Sequence, residues 1–512
     1  MHISDQYVAA LDVGTTKIKC HLVDYSGSIA HSAEASVELI YSESGCVEIN
    51  PQSIWIACCD VIRSVTKGSG IGFQNINCLG LTCQRCTFVT WNKTTGIPYH
   101  RLITWKDRRA SSMVNSLNGS YLTKALKLSA KVLYYLTRYH KFLTASGFKF
   151  ENIHVVVKLM WVLKEYPQIL ADAKKGEVAF GTLDSWLLYK FHNKMHITDY
   201  SSASATAMFD PFLMTWMYPV LKILGIPDSI LPELCDSSGT HFEDISPSLF
   251  GVPIPIRASI ADQPASMFGS YCLKEGSVKL TLGTGAFLNL NSGKALPRFV
   301  YGFSPIVAWK IGNKVTYAGE CSAPDLGTVI DWAISAGLCT DVNDCTEKAT
   351  LVPDCDGVFF IPAFSGLRTP VDCATASTGF IGIKSSTQIP HMLRAVLESL
   401  AFIAASLFEA YARLYEKPAN EIRVDGGVAK NDFILQKLSN ITGARVVRYT
   451  NVERTSLGAA YLAGIANGFW SDVNEIAERA GPETAFTPDV NYVARDRKVF
   501  SQWKEVVPSF CK

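Results

Sequence analysis

A pattern of two strand-like apolar runs around a turn of small residues occurs twice along the chain. Residues 7–11 form an apolar run that ends at a small-residue turn, 12–16, and a second strand-like run, 18–23, follows at once. Such a pattern predicts a β-hairpin. It recurs at residues 277–290, around the glycine-flanked turn 283–285. A motif that recurs in the second half indicates two related domains, and small ligands commonly bind in the cleft between domains.

Helical periodicity is clearest at residues 392–415, which contain little Gly or Pro. Apolar side chains recur there at three- and four-residue steps, at Leu393, Val396, Leu397, Leu400, Ile403 and Leu407. This spacing predicts a long helix that is well buried. Strands mixed with such helices favour an α/β architecture over an all-α or all-β chain.

The length and one proline-punctuated stretch predict where the chain divides. A chain of 512 residues is too long for one ordinary core, so two or more domains are expected. Residues 250–256 predict the entry to a strand just ahead of Asp262 and Gln263. We therefore place a boundary near residue 260, which gives an N-terminal domain of residues 1–260 and a C-terminal domain of residues 261–512.

The charge balance limits the classes of partner. Lys and Arg total 48, Asp and Glu total 46, and neither sign forms a long block. We therefore expect no electrostatic footprint for nucleic acid or an anionic membrane, and a small molecule as the partner. The sequence starts without a basic signal-peptide region, and no apolar run is expected to reach the length of a bilayer span. No integral membrane segment and a cytoplasmic location are predicted.

The cysteines favour a reducing compartment. They number 15, which is odd, and they lack the spacing of a disulfide framework, so reduced thiols in the cytosol are expected. Cys83 and Cys86 have the spacing of a redox pair or of half a zinc site. They lie in a strand-like run, and no second pair completes a tetrahedral set, so a structural role is the favoured interpretation.

The turn at residues 12–16 carries groups that suit phosphate and Mg2+. Asp12 can hold a hydrated Mg2+ ion, Gly14 lets the backbone approach a phosphate, and Thr15 and Thr16 offer hydroxyl and N–H donors. An ordinary hairpin turn uses the same residue types. This turn alone therefore favours the ordinary interpretation, and its significance depends on what accompanies it.

Two further glycine turns accompany it. Gly283, Thr284 and Gly285 form the second copy of the turn, and residues 422–438 form a strand, a glycine turn and a helix, a geometry that suits a nucleotide at a helix start. In this order the three elements resemble the FGGY family of carbohydrate kinases, which shares its ATPase core with actin and hexokinase. Further stretches are similar to the glycerol kinases of that family: residues 81–85, Trp105, and residues 180–187, 198–204 and 457–464. Residues 87–91 and 250–256 are similar to a divergent branch of the glycerol kinases.

This resemblance covers essentially the whole chain and implies both a fold and a reaction. The implied fold is α/β, with two domains that each have an actin- and hexokinase-like (ribonuclease H-like) ATPase core and with the ligand cleft between them. The implied reaction is ATP-dependent transfer of the γ-phosphate to a small polyol, with glycerol as the leading substrate, giving sn-glycerol 3-phosphate and ADP. ATP and Mg2+ are the implied cofactors. Kinases of this kind often form dimers or tetramers, so the resemblance leaves a homo-oligomer as an alternative to a monomer.

The resemblance also implies roles for single residues. Asp262 is expected to be the catalytic base that accepts the proton of the attacking hydroxyl, and with Asp12 it is expected near the metal; a helix N-cap is the alternative for Asp262. The residues expected to bind ATP are Asp12, Gly14, Thr15, Thr16, Gly283, Thr284, Gly427 and Asn431. Those expected to bind the polyol are Arg85, Trp105, Asp262, Gln263 and Phe287. Lys17 and Lys19 lie beside the first turn, as phosphate contacts or, more commonly, as solvated lysines.

The chain departs from the glycerol kinase pattern at several positions. Cys86 stands where those kinases carry Glu, and the usual pocket Tyr is absent, with Ile153 or His154 near its place. Cys321 stands at a nucleotide-side glycine position, where its β-carbon could push on ATP. Lost polar contacts lower substrate selectivity. The alternatives are therefore a kinase of another small polyol or sugar, and a weakly active or inactive member with a regulatory binding role.

Overall fold

The computed structural model describes residues 5–42, 45–192, 194–297, 302–413, 419–478 and 483–511. The strands of the first half are β1 (Tyr7–Val13), β2 (Lys17–Val23), β3 (Ile29–Ser36), β4 (Ile40–Tyr41), β5 (Val47–Ile49), β6 (Ile76–Cys83), β7 (Phe88–Asn92), β8 (Leu102–Ile103), β9 (Val178–Thr182), β10 (Ile197–Asp199), β11 (Phe209–Asp210), β12 (Thr215–Trp216), β13 (Glu233–Cys235), β14 (Asp244–Ile245) and β15 (Ile254–Ala261). The helices are α1 (Pro51–Ser69), α2 (Ser111–Gly119), α3 (Tyr121–Thr137), α4 (His140–Gly147), α5 (Val155–Glu165), α6 (Pro167–Lys174), α7 (Leu183–Phe191), α8 (Tyr200–Ser204), α9 (Tyr218–Ile223) and α10 (Pro247–Phe250).

The second half opens with a helix. Its helices are α11 (Asp262–Gly269), α12 (Gly327–Ser335), α13 (Val342–Thr350), α14 (Ile389–Ala412), α15 (Asp432–Thr442), α16 (Arg454–Ala466), α17 (Val473–Ala477) and α18 (Val493–Val506). Its strands are β16 (Val278–Leu282), β17 (Ala286–Gly293), β18 (Ser304–Ile311), β19 (Lys314–Ala323), β20 (Phe359–Ile361), β21 (Gly379–Ile381), β22 (Glu421–Asp425), β23 (Arg445–Tyr449) and β24 (Glu483–Phe486).

Two large mixed sheets share one arrangement. The first has the order β14-β15-β6-β1-β2-β3, in which β1, β6 and β15 run parallel and the other strands pair antiparallel. The second has the order β18-β19-β17-β16-β22-β23-β24, in which β16, β22 and β23 run parallel. Each sheet therefore joins an antiparallel hairpin to two parallel strands, and the predicted hairpins are β1–β2 and β16–β17.

The long helix α14 lies in the core of the second half. It was predicted at 392–415 but begins at Ile389, because Gln388 and His391 form a capping box and Pro390 occupies the first turn. Residues 414 and 415 lie outside the described residues. By length and composition alone α14 could cross a membrane, which corrects the prediction that no apolar run is long enough. Its most apolar window is 89% buried, as in the core helix of a globular domain.

One helix from the end of the chain returns to the first sheet. Helix α16 packs against β1, β6, β15 and α11. The backbones approach so closely that a β-carbon added to Gly458 would lie 1.8 Å from the Ala265 carbonyl oxygen, and one added to Gly80 would lie 2.2 Å from that of Ala459. Only glycine fits at such distances. One of the two apolar faces of the first sheet is thus covered by residues from far along the chain.

Candidate active site

Three parallel strands of the first sheet end side by side. Val13, the last residue of β1, pairs with Cys83 of β6, and Cys83 pairs with Ala261 of β15. The carboxyl ends of parallel strands meet at one edge of a sheet, which is where ligands bind in open α/β sheets. Residues that are far apart in sequence, including Arg85 and Asp262, therefore become neighbours just beyond this edge.

A buried arginine joins two carboxylates at this edge. The Arg85 Nε donates to Oδ1 of Asp262 at 3.1 Å, and its Nη2 donates to both carboxylate oxygens of Glu320 at 2.9 and 2.8 Å. The Arg85 side chain is 9% exposed, whereas that of Asp262 is 29% exposed and open to a ligand. Charge-assisted pairs of this kind are strong, and they also fix the relative orientation of the two side chains. The predicted base and the predicted polyol-binding arginine thus form one unit.

Glu320 was not predicted from the sequence. It lies on β19, and Asn289 on the adjacent β17 donates to its Oε2 at 2.7 Å. The only local signal is a carboxylate within a strand of mostly small and apolar residues, and this signal does not indicate a partner. In the structure Glu320 orients Arg85 from the second sheet, so the cation is held between the two halves of the molecule.

Asp262 is the first residue of α11, and Ala261 is the N-cap. The alternative interpretation of Asp262 as the N-cap is therefore wrong. Its Oδ1 accepts the backbone N–H of Gln263 at 2.8 Å as well as the Arg85 Nε. Burial raises the pKa of the Asp262 carboxyl, and the charge of Arg85 opposes that rise. A carboxylate with a raised pKa is better matched to proton transfer near neutral pH.

A buried lysine holds the neighbouring amide. The Lys279 Nζ donates to Oε1 of Gln263 at 2.9 Å, and the Thr281 hydroxyl, which lies 3.2 Å from the same oxygen, donates to Asp425 at 2.7 Å. Lys279 also forms an ion pair with Asp425 at 3.5 Å. Burial lowers the pKa of Lys279, and Asp425 opposes this shift. Lys279 was not predicted either, and with the carbonyl oxygen of Gln263 occupied, the amide NH2 is the group that this side chain can offer a ligand.

The first predicted phosphate turn is joined to the predicted polyol wall. The Gly14 N–H donates to the Lys17 carbonyl at 3.0 Å and closes the turn. The Thr15 hydroxyl donates to Oε1 of Gln84 at 2.9 Å and accepts from the Trp105 indole N–H at 2.8 Å. Thr15 and Trp105 therefore fix one another. The Thr15 side chain acts here as a link between the turn and Trp105, and the Thr16 side chain is exposed at the tip of the turn.

Both lysines beside this turn are engaged in ion pairs. Lys17 contacts Glu34 at 2.5 Å on the exposed edge of the sheet, and Lys19 contacts Glu453 at 2.6 Å. Glu453 is the N-cap residue of α16. Lys19 thus ties the first hairpin to α16, so in this structure it is neither a free phosphate contact nor the solvated lysine of the alternative interpretation.

Asp12 carries a carboxyl with a strongly shifted pKa. The Ser456 hydroxyl donates to its Oδ2 at 3.2 Å. Burial raises the Asp12 pKa from 3.8 to about 7; the charge of Lys19 lowers it, and those of Glu453 and Asp262 raise it further. A buried carboxylate beside other carboxylates is stabilised by a cation, so Asp12 fits a position near Mg2+.

We expect Asp12→Asn to stabilise the protein at pH 8 more than at pH 5 when nucleotide and metal are absent. The folded-state pKa is raised, so the neutral carboxyl contributes stability that is complete below the unfolded value, 3.8, and is lost as the pH rises through about 7. The loss at pH 8 is at most about 4 kcal/mol. Thermal unfolding at the two pH values measures it. Asp244→Asn, at an exposed carboxylate, is the control, and an Asp12→Asn effect equal at both pH values would contradict the shift.

The second glycine turn is fixed to the start of a helix. The carbonyls of Gly283 and Thr284 accept the N–H groups of Gly327 and Leu326, each at 2.9 Å. The Thr284 side chain is exposed, and Gly283 lies at the end of β16 beside β22. This places the second and third predicted nucleotide elements next to one another at the carboxyl edge of the second sheet.

In the third predicted nucleotide element the backbone of Gly427 is accessible, whereas the side-chain amide of Asn431 is already hydrogen-bonded. A β-carbon added to Gly427 would meet no atom within 4 Å, so its backbone is open to a ligand. Asn431 is the N-cap of α15: its Oδ1 accepts from Ile434 N–H at 3.2 Å, and its Nδ2 donates to Thr346 at 2.8 Å. The Asn431 amide thus positions the helix next to the predicted adenosine site.

The two predicted apolar walls lie on different sheets. Trp105 follows β8 and carries the Lys106 ammonium over its ring at 5.5 Å from the centroid. Phe287 is half-buried on β17, where it pairs with Thr281 and Ser322. Phe287 is thereby adjacent in the sheet to the strand that carries Lys279 and the second turn.

Cys86 does not replace the missing glutamate as a hydrogen-bonding group of the pocket. Its backbone is left-handed, with φ of 61°, and its Sγ donates to the Ala205 carbonyl at 3.2 Å. The thiol is buried, and burial raises its pKa. Lys158, which is also buried, donates to the Cys86 carbonyl at 3.3 Å. The side chain therefore packs into the protein.

The other departures also have structural roles. The His154 ring stacks on Phe148 at 5.3 Å, and burial lowers its pKa to about 4, so it is neutral at pH 7. Cys321 is buried with its sulfur 4.0 Å from the Leu407 carbonyl on α14, so its thiol points into the core. Burial raises the pKa of Cys83 well above its ordinary value, and no metal-binding group of three or more His, Cys, Asp or Glu occurs among the described residues.

Comparison with known proteins identifies the family. The family model described as the N-terminal domain of the FGGY family of carbohydrate kinases matches residues 7–269, and the one for the C-terminal domain matches residues 278–467. The chain belongs to the FGGY family of carbohydrate kinases.

Individual relatives agree with this membership. The chain is 42% identical over 485 residues to glycerol kinase 5 of Danio rerio, covering 94% of this chain and 92% of the relative. It is 34% identical over 504 residues to glycerol kinase of Alkaliphilus oremlandii, covering 98% and 97%. The solved structure of Plasmodium falciparum glycerol kinase with ADP matches with a TM-score of 0.86 at 25% identity, covering 99% of this chain and 98% of that one.

Several predictions from the sequence are thereby confirmed. The FGGY family, the two-domain α/β fold and the class of ATP-dependent carbohydrate kinase are as predicted. The divergent branch indicated by residues 87–91 and 250–256 is represented by glycerol kinase 5. A kinase of this family acts on a small molecule, which agrees with the predicted class of partner.

Proposed function

We propose that this chain is a glycerol kinase, which transfers the γ-phosphate of ATP to glycerol and forms sn-glycerol 3-phosphate and ADP. The observation that carries the proposal is the Arg85 unit, in which one buried guanidinium holds both Asp262 and Glu320 while Asp262 keeps an exposed face. Identity to several glycerol kinases over nearly the whole chain supports the substrate.

Asp262 is the proposed base. The hydrogen bonds from Arg85 and Gln263 both fall on its Oδ1, and no described residue is found donating to its Oδ2. We assign Oδ2 to the attacking hydroxyl, whose proton it accepts as the oxygen moves toward the γ-phosphorus. The arginine contact keeps the carboxylate in one orientation throughout. The base is thus positioned before substrate binds.

The polyol is proposed to lie between the Arg85 unit and Trp105. Nε and Nη2 of Arg85 are used by the two carboxylates, so Nη1 is the nitrogen that remains for a substrate oxygen. The amide NH2 of Gln263 is the second donor, and Trp105 and Phe287 are the apolar walls. Planar guanidinium donors suit the neighbouring oxygens of a polyol.

The nucleotide is proposed to lie along the carboxyl edge of the second sheet. Its phosphates would face the turns that contain Gly14, Thr15, Thr16, Gly283 and Thr284, and its adenosine would lie over Gly427 near Asn431. Asp12 and Asp262 would hold Mg2+, which fits the raised pKa values of both carboxyls. When bound, Mg2+ neutralises charge on the phosphoryl oxygens.

A second candidate substrate is another small polyol. The observation that favours it is the Cys86 side chain, which is turned toward Ala205 and gives the pocket no carboxylate where glycerol kinases have Glu. A pocket that loses a hydrogen-bonding partner loses discrimination between related substrates. The location of the base and of the phosphate turns is the same for either substrate.

Three further predictions, of the domain boundary, the cellular location and the oligomeric state, belong to this proposal. The domains are proposed to be residues 1–260 and 261–512; in support of a division in this region, one family model ends at residue 269 and the next begins at residue 278. The cytoplasmic location is supported by all 15 cysteines being free thiols. A homo-oligomer is proposed from the resemblance to other kinases of this family alone.

A panel of small polyols and sugars, with Mg-ATP and mass detection of the phosphorylated product, tests the proposed function. We expect glycerol to give the highest kcat/KM and the product to be glycerol 3-phosphate. A clear preference for another polyol would replace glycerol by the second candidate. No product from any polyol, with ATP still bound, would favour a regulatory binding role and contradict the proposal.

A further inference from the structure

Residues 108–150 form a segment with an exceptional local charge. The segment contains eight basic residues and no Asp or Glu: Arg108, Arg109, Lys124, Lys127, Lys131, Arg138, Lys141 and Lys149. The near-equal totals of basic and acidic residues in the whole chain conceal this local excess of basic residues. The middle of the segment is the helix α3.

Helix α3 uses only one narrow stripe to contact the protein. Ala130 is its one buried residue, and Thr123, Lys127 and Tyr134 are half-buried. These positions lie on one side of the helix, which packs against α4 and α2. The remainder of the α3 surface faces away from the protein.

The outward side of α3 is apolar. Nine large apolar side chains on α3 and just after it are at least 40% exposed: Tyr121, Leu122, Leu126, Leu128, Val132, Leu133, Tyr135, Leu136 and Tyr139. They make up nine of the 26 large apolar side chains that are exposed among the described residues. Such clustering within 19 residues marks an interaction site, whereas single exposed apolar residues are ordinary.

A basic stripe borders this apolar face. Lys124, Lys131 and Arg138 are exposed and spaced by seven residues, which places them along one edge of the helix. None of the three forms an ion pair with a carboxylate of the described residues, in contrast to Lys141 and Lys149, which pair with Asp210 and Asp372. The stripe is therefore available to an anionic partner.

The helix is held in place at both ends. At its start the Ser120 hydroxyl accepts the Thr123 N–H at 3.2 Å, and Asn118 donates to the Phe150 carbonyl at 2.9 Å. Beyond its end Lys141 pairs with Asp210 at 2.5 Å. Because α3 is already ordered, docking does not require the folding of a disordered segment.

We propose that α3 docks flat on an anionic lipid bilayer, with its apolar face in the boundary between head groups and acyl chains and its basic stripe against the phosphates. A helix with a large apolar face bordered by lysines and arginines is typical of this mode of binding. The tyrosines near both ends, Tyr121 and Tyr139, suit the interface between membrane and water. Helix α3 would lie in the interface without spanning the bilayer.

The charge of α3 and its packing against α4 and α2 favour a lipid bilayer over two other partners, a second copy of this chain and a groove on another protein. A second copy of this chain would bring two basic stripes together without an acidic side chain from residues 108–150 to offset them. A protein groove that encloses a helix needs access to its flanks, whereas one side of α3 is occupied by α4 and α2. A planar anionic surface needs only the outward face.

Sedimentation of the full chain with vesicles tests the proposal. The vesicles are pure phosphatidylcholine or phosphatidylcholine containing phosphatidylserine. We expect binding to the anionic vesicles only, and weaker binding at high salt. Leu126→Gln combined with Leu136→Gln, and separately Lys124→Glu combined with Lys131→Glu, should each lower the partition by about tenfold or more.

Matched controls separate this surface from general effects. Ile97→Gln with Leu351→Gln makes the same apolar-to-polar change at two exposed residues elsewhere, and Lys67→Glu with Lys174→Glu makes the same charge change. Both controls should bind like the parent chain, and all four variants should keep kinase activity in vesicle-free buffer. Parent protein that stays in the supernatant would overturn the proposal. So would α3 variants that bind as well as the parent, or that convert a dimer to a monomer without changing vesicle binding.

Discussion

Asp262→Asn is expected to lower kcat by about 100- to 10,000-fold while leaving nucleotide affinity nearly unchanged. The amide has nearly the shape of the carboxylate and can still accept from Arg85, but it cannot take the proton of the attacking hydroxyl. The loss therefore falls on the chemical step. Steady-state kinetics with the preferred polyol, together with ADP binding by calorimetry, measures both quantities.

The control for this experiment is a second Asp→Asn change outside the site. Asp60 is an exposed carboxylate on α1 that pairs with Arg63 at 3.0 Å, and Asp60→Asn should leave kcat unchanged. Thermal unfolding of both variants checks that they fold. If Asp262→Asn retained more than about a tenth of the parent kcat, Asp262 would not be the base and the assignment of its Oδ2 would be wrong.

Gly458→Ala is expected to destabilise the protein by about 3 kcal/mol or more. The new β-carbon would lie 1.8 Å from the Ala265 carbonyl oxygen and 2.8 Å from the Gly269 nitrogen. Both are backbone atoms of α11, so they cannot be moved aside by a change of rotamer. Relief requires α16 to separate from α11, which starts with Asp262. We therefore expect the kinase activity to fall by more than the decrease in the folded fraction explains.

Denaturant unfolding of the Gly458 variant measures this cost. Gly68→Ala is the matched control, because Gly68 also lies in a helix and a β-carbon there would meet no atom within 4 Å. That change should be neutral or stabilising by up to about 1 kcal/mol, since alanine is the better helix former. Equal effects of the two substitutions would show that the close approach of α16 and α11 is not required for stability.

Part of the candidate site could be proposed from local signals. Asp12, Gly14 and Gly283 lie in or beside turns whose residue types suit phosphate, whereas the role of Asp262 was implied by the resemblance to the FGGY family and not by its own neighbours in sequence. The repeat of one hairpin pattern likewise predicted the two related sheets. These features depend on neighbours within about ten residues along the chain.

The rest depends on contacts between distant residues. Glu320 is 235 positions from Arg85, and no local pattern relates a strand carboxylate to a particular arginine. Lys279 was missed for the same reason, because only the pairing of β16 with β22 gives it Asp425 as a partner. The direction of the Cys86 side chain depends on a left-handed backbone that its residue type does not favour. The exposed apolar side of α3 was not predicted, because apolar residues at helical spacing fit a buried face equally well.

The return of α16 to the first sheet also constrains how the chain can be synthesised. Strands β1, β6 and β15 are complete by residue 261, yet the helix that covers one of their two apolar faces ends at Ala466. On the ribosome, this face stays uncovered until nearly the whole protein has been made. The N-terminal half can therefore complete the packing of this face only after α16 has emerged, whereas the core on the opposite face of the sheet is built from residues before 260 alone.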